Sequence, residues 1–227
     1  MFLRTDIYGD EFIGWVLDNT GPDREFPWEN APGEDWAYSN FGYCLLGRVI
    51  EYTTGQSYEA FVRDNILAAC GIFEMQIAGD TLADRLSNEA VYDNANLPAD
   101  DPYELPVTRM DAHGGWLGSA TDLVRFAARV DRFPTVPDIL SDATLAEMTT
   151  TAPGSGNYAK GWAVNTFDNW WHDGRLAGTQ SWLVRTSNGF IFAAIMNGNG
   201  IDFGEGDSPI WEKMINSVDV WPAGEPL

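Results

Sequence analysis

Residues 32–47 read PGEDWAYSNFGYCLLG, and the chain changes character inside them. Upstream, residues 1–33 are rich in Asp, Gly, Pro and Trp with little periodicity, which predicts mostly loop and a short helix around Phe12 to Leu17. From Phe41 onward, Phe41, Cys44, Leu45, Val49 and Tyr52 recur at three- and four-residue intervals and so share one helix face. Gly55 is a natural stop for that helix. Ser57 offers the N-cap of a second one, with Phe61, Val62 and Ile66 facing inward and Gly71 ending it. Tyr38, Ser39 and Asn40 therefore stand at the mouth of the first clear helix.

Further along, residues 79–112 are polar and turn-rich, with Leu97-Pro98 and Asp101-Pro102 as breakers. The turn Gly114-Gly115-Trp116-Leu117-Gly118 feeds Ser119-Ala120-Thr121-Asp122, an acidic variant of the capping box. It opens a helix that buries Leu123, Phe126 and Val130. Ser141 caps a shorter helix through Met148. After Pro153 the period becomes strand-like: Trp162–Asn165, Asn169–His172, Ser181–Thr186 and Phe190–Met196. Asn188-Gly189 is a hairpin signal between the last two, because both residues tolerate positive φ. Ser208-Pro209 begins a closing helix carrying Trp211, Met214, Ile215 and Val218. Helices, then about four antiparallel strands, then one helix make an α+β fold. We divide it at residue 150: a mostly helical region over 1–150, and a sheet plus C-terminal helix over 151–227.

The bulk numbers set limits on function. Hydrophobic content of 44 % over 227 residues, with ten Trp and twelve Phe, is that of a chain with a core to bury. The formal net charge is −21, from 34 acids against 13 bases, and only Lys160 and Lys213 are lysines. Such a field repels nucleic acid and anionic membrane surfaces and suits solubility in high salt. No apolar run reaches bilayer length, and the N-terminal residues do not form a signal peptide. Met1 is then either a start without export or a boundary inside a longer reading frame. Cys44 and Cys70 sit in apolar helical patterns and read as two small buried hydrophobes, with a single bridge as the alternative.

Three groups of residues have chemistry to offer. In Tyr38-Ser39-Asn40, the tyrosine serves as a general base if cations depress its pKa, and the Asn40 amide can donate to a substrate carbonyl. The bland reading is a partly buried Tyr and a helix-capping Asn. In His172-Asp173-Gly174, a histidine at the end of an aromatic strand can orient a substrate carboxylate or polarise the base. Gly174 lets a substrate backbone lie against the strand, and the Arg175 amide is placed for an oxyanion. The bland reading pairs His172 with Asp173 or Asp168. The third group, Asp111-Ala112-His113-Gly114-Gly115, superficially matches an α/β-hydrolase oxyanion loop. That reading needs a Gly-x-Ser-x-Gly elbow, which does not occur in the chain, so a structural turn is expected, with His113 free to line a cleft.

Taken together, the run from Pro32 to Gly47, the glycine-rich turn into Ser119–Phe126, and His172-Asp173-Gly174 with Gly178-Thr179 resemble three successive regions of the serine β-lactamase and penicillin-binding-protein family. That family includes class C β-lactamases, DD-peptidases and related esterases. The resemblance covers the chain from about residue 30 onward. It implies a β-lactamase/transpeptidase-like fold and acyl transfer through an acyl-serine on an amide, lactam or ester bond, with no metal or organic cofactor. Tyr38 would be the general base, Asn40 the substrate-orienting amide and His172 the third-motif donor. Ser39, Gly174 and Arg175 would line the substrate, a small molecule or a peptide. Export to the periplasm or exterior is the family habit.

The chain departs from the family at the nucleophile. No Ser-x-x-Lys occurs: Asn157 stands three positions before Lys160, and Ile210 before Lys213. The fold expected is thus incomplete, with an open sheet edge that invites an N-terminal fragment or self-association. Three readings follow. The chain is part of a serine hydrolase, inactive alone; or a non-catalytic module binding peptides or small molecules on the same fold; or a different hydrolase using His113 or His172 with another serine.

Overall fold

A computed structural model of the chain describes residues 9–21, 31, 33–93 and 101–198. Helix α1 spans Gly9–Asn19, longer than the Phe12–Leu17 segment expected. Helix α2 spans Asn40–Thr54. Ser39, in extended conformation, caps it by accepting from the Gly42 N–H at 3.0 Å, and Gly55 ends it at φ 71°. The capping residue is therefore Ser39 rather than Asn40. The inward face also differs from the expected one. Cys44 and Gly47 are buried, whereas Val49 is 55 % and Tyr52 91 % exposed. The helix turns its smallest residue to its neighbour: a Cβ on Gly47 would lie 2.6 Å from the Ala112 Cβ. Close approach there rotates Val49 and Tyr52 outward.

Ser57 caps α3, Tyr58–Val62, as expected. The helix then widens into a π turn at Arg63–Leu67 and tightens to a 3₁₀ turn at Ala68–Cys70 before Gly71. A π turn adds residues to the turn and so changes which side chains face inward. Leu67 and Cys70 enter the core, and Ile66 is only partly buried. Two short strands that periodicity does not reveal flank the polar stretch, β1 (Gln76–Ile77) and β2 (Trp116–Leu117), paired antiparallel. A 3₁₀ helix at Val107–His113 packs beneath α2.

Helix α4, Ala120–Ala127, opens with the expected reciprocal box between Ser119 and Asp122. Helix α5, Asp142–Thr149, is capped by Ser141. Strands β3 (Ala163–Val164), β4 (Trp170–Leu176), β5 (Thr179–Arg185) and β6 (Ile191–Met196) form one antiparallel sheet in that order. Ala127, Val130, Leu145, Trp162, Trp170 and Leu183 form the core between the sheet and α4–α5, joined by Leu123 and Phe126. Those two residues also touch the Leu67–Cys70–Ile72–Met75 cluster, so α4 links both cores. The β5–β6 hairpin is present, but with a three-residue turn. Thr186 pairs with Phe190, Gly189 alone takes positive φ (99°), and the Asn188 side chain accepts from the Thr186 hydroxyl. The helix expected from Ser208 lies outside the described residues. Helices followed by an antiparallel sheet give the α+β class expected.

Candidate active site

The N-terminus of α2 and the start of β4 meet through a third element. Tyr38 immediately precedes the Ser39 cap, which leaves its side chain outside the helix and 53 % exposed. Tyr158 comes from the turn before β3. Its backbone bridges to Ala163, the chain reverses at Gly161 (φ 85°), and Ala163 pairs with Trp171 of β4. This register carries the Tyr158 ring to both motifs. It meets Tyr38 edge to face at 5.5 Å between centroids, and its hydroxyl lies 2.9 Å from His172 Nε2. Trp36 packs on it at 5.8 Å.

These aromatics wall an open cleft of about 450 Å³, lined by Trp36, Tyr38, Tyr43, Leu46, Tyr158 and Lys160, with Ser39 at its edge. The Lys160 ammonium is held at the rim by Glu147, through its carboxylate (3.0 Å) and its backbone carbonyl (2.9 Å). The Ser39 hydroxyl is engaged in the cap. Asn40 is exposed at the first position of α2. Asn40, His172, Gly174 and Arg175 do not line the cleft; His172 joins it through Tyr158.

Along β4, side chains alternate between faces. His172 lies on the face of core Trp170, opposite Leu183, and Gly174 lies on the same face opposite Ser181. A Cβ on Gly174 would stand 2.7 Å from Ser181 Oγ, so a larger residue there would have to turn the serine hydroxyl aside. Asp173 and Arg175 project from the other face and are exposed. Strand β3 meets β4 only at Trp170 and Trp171. From His172 to Leu176, the side of β4 away from β5 therefore has no strand partner among the described residues. An extended chain can pair with such an edge.

Burial, Tyr43 and Asp173 all push the Tyr38 hydroxyl above its usual ionisation range. Among the described residues no cation opposes them, so the depression that a general base needs is not supplied here. Burial, again the main cause, also pushes Tyr158 strongly upward, with Tyr43 and Tyr38 adding to it. His113 stands apart from the cleft. Burial lowers its pKa to about 4, the Arg109 and Arg48 charges add to this, and Asp111 opposes it. Both its ring nitrogens are buried without a partner among the described residues. Gly114 (φ 145°) and Gly115, where a Cβ would meet the Val107 carbonyl at 2.6 Å, make the structural turn expected. Among the described residues no cluster of His, Cys, Asp and Glu could hold a metal ion, and no helix is long and apolar enough to cross a membrane.

Tyr158 is the site residue that the sequence reading misses. Its one local signal is a position just before the Gly161-Trp162 turn into a strand, and its link to His172 arises only from the β3–β4 register.

The geometry finds matches among known proteins. The Beta-lactamase family profile matches residues 17–211. Penicillin-binding protein 4 of Amycolatopsis lactamdurans is 26 % identical over 181 residues, which are 73 % of this chain and 48 % of that protein. Among solved structures, a penicillin-binding protein from Bacillus halodurans superposes with a TM-score of 0.65 at 18 % identity, covering 85 % of this chain and 58 % of that one. A β-lactamase/D-alanine carboxypeptidase from Yersinia pestis gives 0.63 at 14 % identity, covering 87 % and 57 %. This chain belongs to the β-lactamase family and has the β-lactamase/transpeptidase-like fold. It spans about half the length of these relatives.

Proposed function

We propose that the chain is the portion of a serine hydrolase that carries the second and third motifs, acting by acyl transfer on an amide, β-lactam or ester bond. The observation that carries this reading is the convergence of Tyr38 and His172 on Tyr158, at the point where the β4 edge opens. Within it Tyr38 is the general base, Asn40 orients the substrate carbonyl, and His172 is the third-motif donor. Gly174 and the Arg175 N–H lie along the substrate backbone. Ser39 holds the helix start that presents Tyr38 and Asn40.

By itself the chain is inactive on this reading, for two reasons. No serine occupies a Ser-x-x-Lys position. The same segment would also supply a lysine, the cation that Tyr38 lacks and that lowers a phenol's pKa into a useful range for proton abstraction. The test is intact-mass analysis of the purified chain after a fluorophosphonate and, separately, a penicillin. No adduct is expected from the chain alone, and one adduct per molecule once a Ser-x-x-Lys segment is joined to it. A stoichiometric adduct on the chain alone overturns the reading.

A second reading is a non-catalytic binding module for peptides or acylated small molecules. The protonated Tyr38 facing an open aromatic cleft favours it. It predicts ligand binding without turnover, even by the longest natural form of the protein.

A further inference from the structure

His172 has two ring nitrogens, and the structure engages one of them. Nε2 lies 2.9 Å from the Tyr158 hydroxyl, and the two rings meet edge to face with centroids 5.8 Å apart. Nδ1 has no hydrogen-bond partner among the described residues. Tyr158 is itself constrained. Trp36 and Tyr38 pack against its ring, and the bridge to Ala163 ties its backbone to β3. The hydrogen bond at one imidazole nitrogen sets what the other nitrogen presents, and a rigid partner also fixes the ring orientation.

We propose that Tyr158 is a positioning residue for His172: its hydroxyl occupies Nε2 and leaves Nδ1 as the ring nitrogen presented to substrate. This rests on the reading of His172 as the third-motif group and adds the residue that orients it. The groups around the imidazole agree with such a part. Tyr158 faces it directly, Tyr38 and Tyr43 stand behind Tyr158, Asp173 is its neighbour on β4, and Leu183 opposite on β5 is apolar. Burial and these neighbours keep the Tyr158 phenol protonated, so a neutral hydroxyl meets the imidazole wherever a histidine titrates.

The chain has two histidines, His113 and His172, which makes imidazole ¹⁵N–¹H spectra readable. Spectra of the wild-type chain and of Tyr158→Phe, recorded where both histidines are neutral, test the proposal. Loss of the hydroxyl is expected to move both His172 nitrogens and to change the tautomer ratio by about fivefold, the factor set by a hydrogen bond of ordinary strength. The His113 signals are expected to stay in place and report an intact fold. Unchanged His172 nitrogens beside unchanged His113 signals overturn the proposal. If the variant loses its fold, the wild-type chain decides. A slowly exchanging Tyr158 hydroxyl proton with a nuclear Overhauser contact to the His172 ring supports the proposal, and its absence overturns it. Neither readout needs an acyl-enzyme, so failure here and failure of the hydrolase reading are separable.

Discussion

The rings of Tyr38 and Tyr158 meet edge to face with centroids 5.5 Å apart, and both hydroxyls are pushed above their usual ionisation range by burial first and then by Tyr43 and Asp173. Tyr58 and Tyr92 are shifted in the same direction. A group that ionises later in the folded than in the unfolded state contributes stability that is whole below its unfolded pKa and is lost as pH rises toward the folded one. For these tyrosines the loss begins near pH 10.0, and the buried thiols of Cys44 and Cys70 add the same sign from 9.0. Urea denaturation at a series of pH values is expected to show stability falling steadily above pH 9. A flat profile to pH 11 contradicts these shifts.

His113 gives the opposite limb. Its folded pKa of about 4 lies below the ordinary histidine value of 6.5, so its contribution is whole above pH 6.5 and is lost between there and pH 4. At about 1.4 kcal/mol per pH unit the loss reaches at most about 3 kcal/mol. His113→Leu removes two buried nitrogens that lack partners among the described residues and is expected to flatten this acid limb while leaving stability at pH 8 equal or higher. Parallel acid titrations of variant and wild type, followed by circular dichroism, check it. An unchanged slope sinks the assignment.

Arg185 is 4 % exposed, with its guanidinium stacked 4.2 Å from the Trp170 ring centroid and 4.1 Å from that of Phe133. It donates to the carbonyls of Asp131 (3.0 Å) and Asp168 (2.7 Å), and Asp168 is held at φ 60°. Arg185→Leu strands both carbonyls and is expected to cost about 3 kcal/mol in urea denaturation. Arg185→Lys keeps the charge but lacks the planar fork, so it recovers less than half of that loss. Full recovery by lysine means that charge, rather than stacking and the fork, holds this corner.

One substitution at two helical glycines is expected to give opposite signs. On α2, Gly47→Ala drives a methyl into Ala112 and forces α2 away from the Val107–His113 helix, at a cost of about 1–3 kcal/mol. On α1, a Cβ on Gly14 meets nothing within 4 Å, so Gly14→Ala gains up to about 1 kcal/mol of helix propensity. Thermal melts of the two variants against wild type measure both, and the sign is the test.

Much of this molecule is legible in its sequence. The chain's own caps and breakers set where α2, α3, α4 and α5 begin, because a Ser hydroxyl three residues from a backbone N–H is a local interaction. Alternation within short windows marked the four strands of the main sheet, since strand period depends on a residue and its immediate neighbours. Motif order alone placed Tyr38, Asn40 and His172 among the candidates.

What the local pattern could not hold is which faces meet. The apolar spacing of α2 pointed Val49 and Tyr52 inward, yet packing density chose the side where Gly47 meets Ala112. The π turn after α3 replaced Ile66 with Leu67 and Cys70 in the core. Tyr158 became a site residue only because the Tyr158–Ala163 bridge and the Ala163–Trp171 pairing carry it across two strands to His172. The sequence by itself determined the elements, their caps and the family of the site, all consequences of short-range hydrogen bonding and periodicity. Tertiary structure decided the partners of Tyr38 and His172, because side chains far apart along the chain are brought together by register and close packing rather than by their neighbours in sequence.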